Sequence, residues 1–96
     1  MIDSIFEQYQ SDFSEVYEVV RTFLVYHQEI DYRIELLQRW PQGDYKPRIY
    51  KQETVLLPGR NEMLVWREYE MGYRAQSDPD LAVKLALSVI KYQNGR

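Results

Sequence analysis

The chain has 96 residues, 45% of them hydrophobic, which is enough for one small domain (1–96) with a core of its own. Its 15 acidic and 12 basic side chains give a formal net charge of −3, and the acidic excess in residues 1–40 argues against nucleic-acid binding there. The absence of cysteine excludes disulfides, thiol nucleophiles and thiolate metal sites, and it favours a reducing compartment.

Residues 2–40 are predicted to form a long α-helix. Apolar side chains recur there in alternating steps of three and four residues, the spacing of a heptad seam, and neither Gly nor Pro interrupts them. The seam consists of Ile2, Phe6, Tyr9, Phe13, Val16, Val20, Phe23, His27, Ile30, Ile34 and Leu37. A cluster of β-branched residues between positions 16 and 25 would also suit a strand, so that alternative stays open.

The length of this predicted helix indicates self-association. An unbroken helix over residues 2–40 would be about 58 Å long, whereas a compact domain of this size has a radius of gyration of about 13 Å. Either the helix kinks near residues 27–31 or a second chain covers its apolar stripe, and the lack of a helix breaker favours the second chain. The predicted interface comprises Phe6, Phe13, Val16, Val20, Phe23, His27 and Ile30.

Residues 41–60 are irregular, and the segment after them has two interpretations. Pro58-Gly59 predicts a turn, and Asn61 is a suitable cap for a helix over residues 61–76. The competing interpretation is a short β-hairpin within residues 48–73, because apolar side chains from 63 to 73 also fall on one strand face. The periodicity does not separate the two.

A C-terminal helix is the clearest of the later elements. Ser77-Asp78-Pro79-Asp80 combines a capping side chain, a first-turn proline and an acid near the positive end of the helix dipole. The following residues to Gln93 are mostly apolar, so this helix is expected to lie at the centre of the core.

The residues that usually carry catalysis are scarce. His27 is the single histidine, and it is interpreted as a polar residue tolerated in the seam. The four glycines do not fit a nucleotide-binding loop, and one histidine without cysteine does not make a metal site. We therefore expect no enzymatic activity, no cofactor and no metal.

One segment supports an alternative function. Between residues 45 and 60, basic and aromatic side chains alternate in a way that can follow a phosphate backbone while stacking on bases. The candidate nucleic-acid-binding residues are Lys46, Arg48, Tyr50, Lys51 and Arg60.

The sequence thus predicts a mainly α protein with a long N-terminal helix, one or two further helices and, as an alternative, a hairpin in 48–73. Its predicted function is a small protein-interaction module (a regulator, adaptor or assembly factor) that forms a homo-oligomer and binds a protein partner. The longest aliphatic or aromatic runs are only four residues and the N-terminus lacks a basic leader, so a cytoplasmic location without membrane association is expected.

Overall fold

The computed structural model describes residues 2–69 and 74–93, and an antiparallel β-sheet dominates it. Four strands lie side by side in chain order, and they are β1 (Tyr17–His27), β2 (Ile30–Arg39), β3 (Tyr45–Leu57) and β4 (Asn61–Glu68). A short helix, α1 (Ile2–Tyr9), precedes the sheet and continues into a 3-10 turn over Gln10–Asp12. A second helix, α2 (Pro79–Gln93), comes after the last strand. The prediction of a mainly α protein is therefore wrong.

The long helix predicted over residues 2–40 is also wrong, because only its first two turns are helical. Residues 17–39 instead form a hairpin of β1 and β2. Its turn consists of Gln28 and Glu29, whose φ angles of 50° and 66° match the left-handed conformation that tight two-residue hairpins require. The heptad spacing does not correspond to a helix here. About half of residues 1–40 are apolar, so a spacing of either three or four residues often meets an apolar side chain by chance.

The strand β2 shows the period that decides the fold. Its apolar residues Ile30, Tyr32 and Ile34 alternate with the charged residues that separate them, as a half-buried strand requires. Tyr32 and Ile34 are completely buried. The backbone of β2 forms hydrogen bonds with β1 on one side and with β3 on the other.

The strands β3 and β4 form the second hairpin, which rules out the helix over residues 61–76 for the part that the structure describes. The turn lies at Pro58–Arg60, where Gly59 has a φ of 83° that side chains disfavour. Residues 70–73 lie outside the described residues, so the end of the predicted hairpin is not placed.

The helix α2 covers one face of the sheet. Asp78 Oδ1 accepts a hydrogen bond of 2.9 Å from the backbone N–H of Asp80, so Asp78 caps the first turn as the sequence indicates. From α2, Ala86 and Ile90 pack against the sheet and form the core with residues of β2 and β3. The buried cluster consists of Tyr32, Ile34, Ile49, Ala86 and Ile90.

The molecule is flat, with principal dimensions of 48 × 34 × 21 Å. One sheet layer with one helical layer accounts for the short dimension, since two packed layers lie about 10 Å apart. We call the face that contacts α2 the helix face and the opposite side of the sheet the open face.

Candidate interaction surface

The strand register defines the open face. Side chains that are directly opposite in an antiparallel pair share one face, so Leu24, Arg33, Tyr50 and Glu68 form a row across all four strands. The adjacent row towards the β2–β3 connection contains Thr22, Glu35 and Arg48. On the other side lie the open-face residues Tyr26, Asp31, Gln52 and Trp66.

Arginines and aromatic rings stack along the middle of this face. The guanidinium of Arg33 lies 4.2 Å from the ring centroid of Tyr50 and 5.1 Å from that of Trp66. The guanidinium of Arg48 lies 5.5 Å from the ring centroid of Tyr50. Cation–π attraction of this kind holds long side chains in place against the sheet. We call Arg33, Arg48, Tyr50 and Trp66 the arginine–aromatic ladder.

A carboxylate from β2 fixes the end of the ladder. Glu35 Oε1 accepts hydrogen bonds from Arg48 Nη2 at 2.7 Å and from Arg48 Nε at 3.0 Å, and Glu35 Oε2 lies 3.6 Å from Arg33 Nε. The hydrogen bonds that Arg48 donates to Glu35 raise the pKa of Arg48 above its ordinary value, despite the opposing effect of burial. Glu35 therefore offsets the charge of two arginines that lie close together.

Replacing Glu35 with glutamine is expected to destabilise the protein by about 1 kcal/mol, because a charge-assisted pair is lost from a site only partly open to solvent. The matched control is Glu53→Gln, which breaks the 2.7 Å pair with Arg67, whose side chain is 66% exposed. That change should cost only a few tenths of a kcal/mol. Urea unfolding measures both changes, and equal effects would show that the Glu35 pair contributes no more stability than an exposed ion pair.

Large apolar side chains surround the ladder and face solvent. On β1, Leu24 is 75% exposed and Tyr26 is 69% exposed, and on β4 Leu64 is 62% exposed. Leu56, paired with Glu62 near the end of the β3–β4 hairpin, is also exposed. Together with the ladder they give the open face the aromatic and arginine-rich composition found in protein interfaces.

The predicted interface residues do not form one stripe. Phe6 of α1 packs against Trp40, with ring centroids 5.7 Å apart, whereas Phe23 and Ile30 pack against the sheet core. The remaining residues are spread over the N-terminal segment, the β1 bulge and the end of β1. These are Phe13, Val16, Val20 and His27.

The predicted nucleic-acid-binding residues are divided as well. Lys46, Arg48 and Tyr50 lie on the open face, where Arg48 and Tyr50 belong to the ladder. Lys51 lies on the helix face, since it pairs with Tyr32, and Arg60 lies in the β3–β4 turn. Sequence reasoning missed Arg33 and Glu35, although their alternation with buried residues of β2 was a signal for a strand with one exposed face.

A cleft of about 300 Å³ lies between the segment after α1 and the end of β2. Phe13, Trp40 and Arg39 are among its lining residues. Across residues 2–69 and 74–93, no three potential metal-ligating side chains converge, and no helix has both the length and the apolar character to cross a membrane.

The fold and its surface thus define a class of small protein, a four-stranded meander with one covering helix and one exposed sheet face. No protein-family model, curated protein or solved structure matches the chain.

Proposed function

We propose that the protein is a non-enzymatic interaction module that binds a protein partner on the open face of its sheet. The observation that carries the proposal is the exposure of Leu24, Tyr26 and Leu64 on both sides of the arginine–aromatic ladder. Exposed apolar side chains next to stacked aromatic and arginine side chains are typical of association sites. The self-association that the sequence predicted through a helix over residues 2–40 is not part of this proposal, because β1 and β2 replace that helix.

The rigidity of the ladder supports a binding role. Arg33 contacts two rings and lies beside Glu35, and these contacts restrict its side chain before a partner binds. A side chain that is ordered before binding loses less conformational entropy when the partner arrives. Trp66, Tyr50 and Arg33 are also the residue types that most often contribute the largest share of binding energy in interfaces.

The charge balance of the open face favours protein over nucleic acid. Binding to a phosphate backbone depends on cations that are free to neutralise phosphates. Here Arg48 forms an ion pair with Glu35, and the guanidinium of Arg33 contacts the rings of Tyr50 and Trp66. Lys46, the remaining base of the predicted set on this face, lies 4.4 Å from the ring of Tyr17.

Site-specific photocrosslinking in the native cell tests the proposal. A photoreactive phenylalanine analogue at Leu64 should crosslink a protein partner, since this position on β4 is exposed beside Trp66. The matched control is the same analogue at Leu87 of α2, which is also exposed but lies away from the open face. Crosslinking at Leu64 alone supports the proposal.

Three other outcomes decide against it. A folded protein that gives no crosslink at Leu64 contradicts the open face as a binding surface. Equal crosslinking at Leu64 and Leu87 indicates unspecific contact. A nucleic acid crosslinked at Leu64 would favour the alternative, an accessory protein that binds DNA or RNA through Lys46, Arg48 and Tyr50.

A further inference from the structure

The outer edge of β1 lacks the usual protection over residues 22–27. The sheet order places β1 at one edge and β4 at the other, and no described strand pairs with the outer side of either. Soluble proteins usually protect such edges with charges, prolines or bulges, because unpaired backbone groups attract another strand. The edge strand β4 carries Glu62, Arg67 and Glu68, whereas residues 22–27 of β1 contain no charged side chain and no proline.

The turn after β1 fixes which backbone groups point outward. In a two-residue hairpin of this type, the residues that flank the turn form a hydrogen-bonded pair, and here they are His27 and Ile30. Hydrogen-bonded and non-hydrogen-bonded pairs alternate along an antiparallel ladder. The N–H and C=O groups of Thr22, Leu24 and Tyr26 therefore point away from β2 and towards solvent.

A bulge fixes the length of the regular edge. The register of β1 against β2 shifts between Val19 and Arg21, and such a shift interrupts regular pairing. The regular stretch thus runs from Arg21 to His27, and Leu24 is its midpoint. The outward-pointing residues Thr22, Leu24 and Tyr26 are placed symmetrically about Leu24. They can therefore pair antiparallel with the same three residues of an identical stretch, which is the geometry of a two-fold dimer.

We infer that β1 pairs antiparallel with β1 of a second copy of the chain, with the two-fold axis at Leu24. Leu24 then lies opposite Leu24 of the second copy, and Thr22 lies opposite Tyr26 of the second copy. This register uses all three outward-pointing residues and forms about six backbone hydrogen bonds, two for each pair. The inference rests on the proposed function in treating the exposed side of the sheet as a binding surface. It adds that the β1 edge of this surface binds a second copy of the chain.

Charge complementarity supports the same register. Arg21 would lie opposite His27 of the second copy, at the start of the turn that carries Glu29 of that copy. In the lone chain the Arg21 guanidinium lies 4.8 Å from the centroid of the Phe23 ring, and Glu29 is exposed in the turn. Pairing would bring these opposite charges near each other at both ends of the paired stretch, which favours this register. The paired edge also places Leu24 of one copy beside Leu24 of the other and Tyr26 beside Thr22, which shields part of the apolar surface that a lone chain exposes. The two open faces become one continuous surface of eight strands.

Oxidation of single-cysteine variants tests the pairing. Because the chain has no cysteine of its own, any disulfide must form through the introduced residue. In Leu24→Cys the two sulfur-bearing residues face each other with Cα atoms about 5.5 Å apart, which is within disulfide range. We expect a disulfide-linked dimer at micromolar protein concentration. Leu64→Cys, equally exposed on β4, should crosslink at least ten times more slowly, and circular dichroism should show both variants folded.

A mixed experiment tests the register. Thr22→Cys and Tyr26→Cys should form a disulfide-linked heterodimer faster than either forms a homodimer, because residues 22 and 26 face each other only in this arrangement. Arg21→Glu should weaken dimerisation, measured by analytical ultracentrifugation, by about five-fold. The added change Glu29→Arg should restore it, which a purely local effect on folding would not do.

The results separate this inference from the proposed function. Light scattering that shows a monomer at about 100 µM, or Leu24→Cys that oxidises no faster than Leu64→Cys, overturns the β1 pairing. A monomer whose position 64 still crosslinks a different protein leaves the proposed function standing without it. A β1-paired dimer that crosslinks nothing at position 64 supports the pairing and removes the proposed binding of another protein.

Discussion

Replacing Ile34 with alanine is expected to lower the free energy of unfolding by about 3 kcal/mol, within the range for truncating a buried aliphatic side chain. Ile34 is completely buried, lies opposite Ile49 in the strand register and belongs to the cluster that includes Ala86 and Ile90. Both the strand pairing and α2 hold this position, so the cavity left by the truncation cannot close easily. Urea unfolding followed by circular dichroism measures the change.

The control for this prediction is Leu24→Ala, which truncates a branched aliphatic side chain of the neighbouring strand that is 75% exposed. Its effect should stay within about 0.5 kcal/mol at protein concentrations too low for dimerisation. Similar losses for Ile34→Ala and Leu24→Ala would mean that the helix face is not the core. A concentration-dependent loss for Leu24→Ala alone would instead point to pairing of the β1 edges.

The comparison of sequence and structure shows why β1 and β2 were misassigned. In β2, apolar and charged residues alternate strictly from Ile30 to Glu35, and this pattern is sufficient to predict a strand. In β1, Phe23, Leu24, Val25 and Tyr26 form an apolar run without a period, since one side packs on the core and the other is exposed. A turn made by Gln28 and Glu29 carries none of the usual glycine or asparagine signals. Local sequence therefore identifies β2 better than the turn or β1.

The candidate surface was predictable only in part. Lys46, Arg48 and Tyr50 are two residues apart, so any strand assignment of this segment places them on one face. Their neighbours Arg33 and Trp66 come from β2 and β4, and only the register of two hairpins brings them together. That register depends on which side of each strand is buried, a property of the whole sheet. The ladder could not be derived from any one segment.

The C-terminal helix illustrates the opposite case, because its start follows from local signals. Asp78 caps it, Pro79 begins it, and both were evident in the sequence. The sequence did not show which of its many apolar residues meet the sheet. The structure buries Ala82, Ala86 and Ile90, each one turn from the next, and leaves Leu81 and Leu87 exposed.

Replacing Ala86 with glutamate is therefore expected to destabilise the protein by about 3 kcal/mol or more at neutral pH, since it places an unpaired carboxylate between α2 and the sheet. The matched control is Ser88→Glu, which introduces the same charge two residues further along α2 at an exposed position. It should change the free energy of unfolding by no more than about 0.5 kcal/mol. Comparable losses would show that α2 does not hold the sheet through Ala86.

The pH dependence of the two glutamate variants separates charge burial from steric crowding. Burial should raise the pKa of the introduced carboxyl group in the folded state above its unfolded value of about 4.3. A group with a raised folded pKa binds more protons in the folded than in the unfolded state, so its electrostatic cost is largest at neutral pH and falls as the pH drops towards 4. The stability difference between Ala86→Glu and Ser88→Glu should therefore narrow between pH 7 and pH 4. A difference that stays constant over this interval would mean that the larger side chain, and not its charge, forces α2 away from Ile34 and Ile49.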